Sequence, residues 1–270
     1  FNWAGFFLPK KIFFKCSDLY DFCRTVDNIA DENGDLDIKK KKFLDFKNNF
    51  INKNYNNQII KQMWALIEHF GISIEIIKDL FDGIESDLKE IVQLNSNKDL
   101  LIYSYRVAGT VGLMMAKILN VQNENALKSA IDLGIAMQLT NISRDVVEDS
   151  KNNRYYISHN FKSIRETLKT ADLFYESSFA GIKEIPFSFR FSILVARRIY
   201  KKIGHNILKK ENIENYNNSG KIYVTNFGKI IQTILSIYDL IRLLLIKPQD
   251  HLRDKEHQII NEEINLNERF

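Results

Sequence analysis

Four polar residues stand in one line along Gln138-Leu-Thr-Asn-Ile-Ser-Arg-Asp-Val-Val-Glu-Asp149. Gln138, Asn141, Asp145 and Asp149 are spaced i, i+3, i+7 and i+11. At roughly 100° per residue they share a helical stripe about 80° wide. The segment lacks Gly and Pro, and Ile135, Leu139, Ile142 and Val146 recur at helical spacing beside that stripe. Two carboxylates buried in line are costly without a cation, so the pattern points to a divalent metal. A second stripe repeats it: Tyr20, Arg24, Asp27 and Asp31 at i, i+4, i+7 and i+11. One Asp-x-x-x-Asp pair is common on a solvated helix. Two, each extended backwards by polar residues in an apolar setting, are expected to face each other across a site.

Paired carboxylates at this spacing suit Mg²⁺ (or Mn²⁺), a hard cation usually shared with substrate phosphates. Arg24 and Arg144 add fixed positive charge and forked donors. Tyr20 and Tyr103 add hydroxyl donors. Val107, Ala108, Val111 and Leu139 are the expected apolar lining. The chemistry predicted is ionisation of an allylic diphosphate in a dry pocket, with metal and arginines stabilising the departing diphosphate.

Those stripes need long helices, and the composition supplies them. Among 270 residues there are 3 Pro and 11 Gly, little turn chemistry for an all-β or parallel-sheet fold. The length suits one large domain. The net charge of +4 is mild, and no basic block marks a nucleic-acid groove. Two cysteines, Cys16 and Cys23, exclude a disulfide framework and read as reduced core thiols. No His/Cys spacing suggests zinc. No secretory signal is visible. The chain opens at Phe1 without Met, so upstream residues are expected.

In chain order, Phe1 to Leu8 is a short apolar segment expected to cover one end of a cavity, and Ile12 to about Ala30 a helix. Asp31 to Lys41 reads as a polar loop. Its acids oppose the macrodipole of the preceding helix end unless a cation joins them. Helices are predicted over Lys42–Phe50, Asn57–Phe70, Ile74–Leu94 (one or two), Asp99–Leu119, Glu124–Asp149, Ile164–Lys183 and Phe187–Lys210. Asp87, in the Ile74–Leu94 region, is expected either to add polar contacts near a site or to lie on a solvated turn of helix. Gly109 and Gly112 each cost a helix about 1 kcal/mol; they are expected to leave room for a long apolar group, the alternative being close helix packing. Val-Ala-Gly-Thr-Val-Gly lacks the spacing and the preceding strand of a dinucleotide loop. Arg154, Tyr155 and Tyr156 read as a loop, as does Asn212–Gly220. Ile222–Ile246 closes the fold, too interrupted by polar residues to span a membrane. Residues 1–247 form the predicted domain, and 248–270, from Pro248, a charged, loosely packed tail.

Three segments carry a resemblance to a known family. They are Tyr20-Asp-Phe-Cys-Arg-x-x-Asp27-x-x-x-Asp31, Tyr103-Ser-Tyr-Arg-Val-Ala-Gly-Thr-Val-Gly112 and Gln138 to Asp149. Together they resemble the squalene/phytoene synthase family, over almost the whole chain to about Lys229. Val-Ala-Gly-Thr-Val-Gly-Leu-Met-Met and Tyr200-x-x-Ile-Gly204 look most like its bacterial phytoene-forming branch. The resemblance implies an all-α, single-domain isoprenoid synthase fold around a central apolar cavity. It implies head-to-head condensation of two geranylgeranyl diphosphates through prephytoene diphosphate, without NADPH. It assigns Asp27, Asp31, Asp145 and Asp149 to metal, and Tyr20, Arg24 and Arg144 to diphosphate. Gln138 and Asn141 line the reaction centre, joined by Tyr103. Tyr216 and Lys221 stand where the family often has a late Tyr/Asp and a basic residue that bind substrate.

The chain also departs from the family. It opens at Phe1, where a Ser-rich segment would end. Ser104 stands for a frequent Cys, Ser158 for a Pro and Lys221 for an Arg. Gly5 is expected to leave room for a C20 rather than a C15 tail. Alternatives are a squalene or dehydrosqualene synthase using farnesyl diphosphate, and a silent member acting as an assembly factor. A head-to-tail prenyltransferase would show Asp-Asp-x-x-Asp, which neither motif does. The expected partners are prenyl diphosphates and a membrane surface for the hydrocarbon product, with no nucleic acid. The expected location is the cytoplasm, peripheral to the membrane.

Overall fold

The structure, a computed structural model, describes residues 2–32, 34–247, 250–251 and 254–270. Phe1 and Pro248, used above as segment ends, lie outside the described residues. The chain is all-α. In order come α1 (Asn2–Gly5), α2 (Lys10–Asp31), α3 (Leu36–Ile51), α4 (Gln58–Phe70) and α5 (Ile74–Glu85). Then follow α6 (Asn97–Ser104), a π-helical turn (Tyr105–Gly109), α7 (Thr110–Ile118), α8 (Glu124–Lys151) and α9 (Phe161–Gly181). The last are α10 (Phe187–Leu208), α11 (Ile213–Asn218), α12 (Asn226–Leu245) and α13 (Lys255–Glu263). Among the described residues the strands are two residues long, β1 (Val92–Gln93) parallel to β2 (Arg154–Tyr155), with Val92 opposite Arg154.

Local chemistry explains where helices begin. Asp35, Asn57, Ser96, Asn123, Asn160 and Asn212 each accept backbone N–H groups at a helix start. The Asp35 cap shortens the loop expected over 31–41: its carboxylate accepts from Asp37 and Ile38 at 2.9 and 3.1 Å, so the lysine run is helical. Asn212 does the same for α11, turning half of the expected Asn-rich loop into helix. Helix α5 stops at Glu85, short of the Leu94 expected, and a turn carries Asp87 into β1.

Aromatic residues knit α2, α3 and α5 together. Phe22, Phe46 and Phe50 converge on Phe81, with Phe50 and Phe81 rings 5.4 Å apart. Each such buried ring contributes about 2–3 kcal/mol. Helix α8 runs through the centre, burying Ile131, Ile135, Leu139 and Ile142. Cys16 and Cys23 are both free thiols on α2, and burial pushes each up to about 12.

The C-terminal segment, expected to pack loosely, is clasped instead. Asp132 of α8 is buried and accepts from His251 (2.5 Å), His257 (3.0 Å) and the Ser177 hydroxyl (2.5 Å). Although burial opposes it, donation from His251 and His257 holds the Asp132 carboxyl below its usual range. Arg269 grips buried Asp79 with two bonds of 3.0 Å, and the Tyr105 hydroxyl donates to the same carboxylate at 2.8 Å. Charge composition suggested solvation; specific buried acceptors on α5 and α8 override it. Asp132→Ala is expected to lower the unfolding free energy by about 3 kcal/mol, because buried donors lose their acceptor. Urea denaturation checks the loss, and faster proteolysis within 254–270 locates it.

Candidate active site

Asp27 of α2 and Asp149 of α8, one from each acidic stripe, both feel the charges of Asp87 and Arg154. Arg154 lies on β2. Its guanidinium donates to Asp31 at 2.5 Å and to the Ala30 carbonyl at 3.2 Å, closing the end of α2. The unfavourable acids at that helix end therefore have a protein cation as partner. Backbone bonds from Val92 to Asn153 (2.9 Å) and Leu94 to Tyr155 (3.1 Å) fix the strand that holds Arg154.

Asp87 accepts from the Tyr103 hydroxyl at 2.7 Å and the Tyr156 hydroxyl at 2.9 Å, and the two rings stack at 4.7 Å. Desolvation raises the Asp87 carboxyl, against the pull of these hydroxyls and Arg154. Asp27 keeps solvent contact; even so, the protein around it, then Asp31 and Asp87, push it up to about 6 against Arg154 and Arg24. Asp149 rises to about 7, mainly from desolvation and then Asp145. Among the described residues, Arg154 and Arg24 offset the charge on Asp27, and Arg144 and Lys221 that on Asp145.

Asp145 differs from the other three. Arg144 clasps it through Nε (2.8 Å) and Nη2 (2.5 Å). Lys221 lies 3.6 Å from it and 2.7 Å from Glu148. Arg24 donates to the Tyr20 hydroxyl at 3.0 Å.

A cavity of about 570 Å³ opens from this end. Tyr20, Gln138, Asn141 and Tyr200 line it on the polar side, and Val107, Ala108 and Val111 on the apolar side, as expected. Leu139 is not among the lining residues; it is fully buried core. Trp3, Ala4, Gly5 and Leu8 cover one end, and Ala126, Ser129, Gly181 and Ile185 lie elsewhere on the wall. The Asn141 Oδ1 is buried and accepts no hydrogen bond from the protein, an acceptor open to a bound group.

Two residues expected to touch substrate serve other partners. The Tyr103 hydroxyl is spent on Asp87, so Tyr103 positions that carboxylate. Tyr216 is buried in a satellite cluster beneath α8 and donates to the carbonyls of Ser143 (3.0 Å) and Arg144 (2.8 Å), steadying the stripe from behind. Both hydroxyls are occupied. Conversely, Asp87, Arg154 and Tyr156 belong to the site. Asp87 stood out in the sequence as an acid that either adds polar contacts near a site or lies on a solvated turn, whereas a two-residue strand carries no pattern by which Arg154 could be placed.

The chemistry of the acidic residues fits a divalent cation: they offer hard oxygen donors, and the raised carboxyls of Asp27, Asp87 and Asp149 mark charge that a cation would offset. Among the described residues the group that brings three donor atoms within 4.8 Å of one another is a different one, Asp132, His251 and His257. It fits a metal poorly. His257 Nδ1 accepts the Asp254 N–H at 3.0 Å, so its proton sits on Nε2 and points at Asp132. A metal on Nε2 would need the opposite tautomer.

The glycines resolve in favour of close packing. A Cβ on Gly112 would strike the Ala130 carbonyl oxygen, and one on Gly134 the Ala108 carbonyl oxygen, so α7 and the π turn touch α8 backbone to backbone. Gly109 faces Tyr105 and Ile131 at 3.1–3.2 Å. Gly112 and Gly134 line the cavity as well, so close packing and cavity wall coincide. The π turn adds a residue at this contact and presents Val107 and Ala108 to the cavity.

The sequence profile of the family described as Squalene/phytoene synthase matches residues 1–161. The chain belongs to the squalene/phytoene synthase family. It is 30% identical to a phytoene synthase of Rhodobacter capsulatus over 235 residues, 77% of this chain and 69% of that protein. It is 36% identical to a 15-cis-phytoene synthase of a Paracoccus species over 149 residues, 48% of this chain and 49% of that protein. The chain thus spans from about half to about two thirds of these relatives. A crystal structure of a dehydrosqualene synthase with ligand superimposes with a TM-score of 0.72 at 25% identity, covering 88% of this chain and 90% of that one. A squalene synthase from Alicyclobacillus acidocaldarius shares the fold, with a TM-score of 0.65 at 16% identity over 79% of this chain and 88% of that one.

The backbone contact yields a stability expectation. Gly134→Ala is expected to cost roughly 2 kcal/mol, since overpacking against a carbonyl forces two helices apart. Chemical denaturation measures the cost.

Proposed function

We propose that the protein is a phytoene synthase, a prenyltransferase that condenses two geranylgeranyl diphosphates head to head. One observation carries the reading: the helical stripes that bear the four carboxylates also send Tyr20, Gln138 and Asn141 to the wall of an apolar cavity of about 570 Å³. The names of the relatives at 30% and 36% identity support the substrate class. Residues 1–247 supply the catalytic unit, and 254–270 clasp it.

Asp27, Asp31, Asp145 and Asp149 would hold Mg²⁺ (or Mn²⁺), with Asp87 beside them. Bound there, the cation draws charge from the leaving diphosphate. Arg24 and Arg144 orient the same group by forked hydrogen bonds, and Lys221 adds charge at the rim. Tyr20, Gln138 and Asn141 border the position of the first carbocation, and the apolar wall excludes water that would quench it. The first substrate loses diphosphate to give an allylic cation; the second traps it and loses a proton to give prephytoene diphosphate. That loses its own diphosphate, rearranges and gives up a second proton. The sum is phytoene, two diphosphates and two protons, so no reductant is consumed. Phytoene is a hydrocarbon, and its delivery calls for a membrane surface, which places the enzyme at the cytoplasmic side as a peripheral protein. Among the described residues no helix is long and apolar enough to cross a membrane.

Incubation with geranylgeranyl or farnesyl diphosphate, with and without Mg²⁺ and NADPH, tests the reading by hydrocarbon analysis. Phytoene from the C20 substrate, dependent on metal and indifferent to NADPH, is the expected result. A C30 product would move the assignment to the dehydrosqualene branch of the family, and no product from either would sink it. Asp145→Ala is expected to abolish product while leaving the circular-dichroism spectrum unchanged.

Gly5 gives a second expectation. It lines the cavity, and a Cβ there would lie 2.8 Å from the Phe13 ring. Gly5→Phe should displace Phe13, fill the covered end and shift preference towards farnesyl diphosphate. Competition between the two substrates measures the shift, and an unchanged ratio counts against Gly5 as a length determinant.

A further inference from the structure

Helix α12 is built inside out. Its buried residues are Gln232, Ser236, Asp239 and Leu243, three of them polar. Its outward face carries Phe227, Ile234, Tyr238, Ile241, Leu244 and Leu245, with Phe227 73% and Leu245 80% exposed. A surface helix ordinarily turns the other way. The register is not loose, because the inward polar row is satisfied. Asp239 takes Arg198 Nη2 at 2.9 Å and Arg198 Nε on its other oxygen. The Ser236 hydroxyl donates to the Gln232 carbonyl at 2.8 Å.

The outward row runs the length of a helix about 30 Å long. Contiguous apolar surface of that extent marks an interface. Its charge names the partner. The charged residues of α12 are Lys229, Asp239 and Arg242. The acid is buried and paired, so what the helix offers outside is cationic, followed by exposed Lys247. A second copy laid on this helix would bring cations against cations, in either direction. An anionic lipid surface meets the row with acyl chains and the cations with phosphates. The row also adjoins the cavity: Trp3 and Lys229 line it, and the Trp3 indole donates to Thr233 of α12 at 3.0 Å.

We propose that α12 docks the protein on anionic bilayers, its apolar row lying in the lipid interface beside the cavity. The proposal rests on the assigned function only for why an apolar passage is wanted there; the docking is measured without substrate.

The test is co-sedimentation of the full chain with vesicles of phosphatidylcholine, alone or mixed with phosphatidylglycerol. The expected result is roughly tenfold more binding to the anionic vesicles, weakened by salt. Ile234→Glu with Leu245→Glu changes two exposed positions; this double variant should lose binding at an unchanged thermal midpoint. The proposal is overturned if the parent stays in the supernatant or the double variant binds as the parent does. It is also overturned if light scattering shows a two-chain mass that the variant reduces to one, without vesicle binding. Vesicle binding in a protein that makes no hydrocarbon would strike the assigned function and leave this surface standing.

Discussion

The structure depends on the pairing of Arg154 with Asp31. Carboxylates from α2, α8 and the turn after α5 converge at one end of the cavity, where mutual repulsion works against the fold. One guanidinium, donating at 2.5 Å to Asp31 and also to the end of α2, ties the first stripe to the strand that follows the second. It lowers the pKa of Asp27, Asp87 and Asp149 alike. The remaining excess of negative charge is what a bound cation would offset.

The opposite constraint governs the apolar part. There α7, the π turn and α8 approach until carbonyl oxygens sit where any side chain on Gly112 or Gly134 would be. Such contact leaves no freedom to the wall that carries Val107, Ala108 and Val111. A cavity that must shelter a carbocation benefits from a wall unable to breathe, since water entry ends the reaction. The polar end is held by charge, the apolar end by steric contact.

Much of this was legible in the chain. The two stripes at i, i+7 and i+11 fall on helices α2 and α8, because helical periodicity converts spacing directly into direction. Gln138 and Asn141 line the cavity, as do Val107, Ala108 and Val111. Periodicity says which way a side chain points; it does not say what will already be there. The hydroxyls of Tyr103 and Tyr216 meet Asp87 and the α8 carbonyls, partners distant in sequence. Arg154 rides on a strand whose only cause is a pair of backbone bonds to a segment some sixty residues away. The C-terminal segment misled through composition: its charges look solvated, but His257 and Arg269 answer buried acids that sequence cannot pair with them.

That clasp bears on how the molecule comes into being on the ribosome. Arg269 reaches back 190 positions to Asp79, and His257 reaches back 125 to Asp132. Both acids are buried on helices synthesised much earlier. Domains generally fold from the N-terminal side during synthesis, but here Asp79 and Asp132 stay without their cationic or imidazole partners until residues 251–269 have left the exit tunnel. Until then, α5 and α8 carry open acceptors beneath an incomplete surface, and the surface most exposed to proteases or chaperones in that interval is the one that later closes over Asp132.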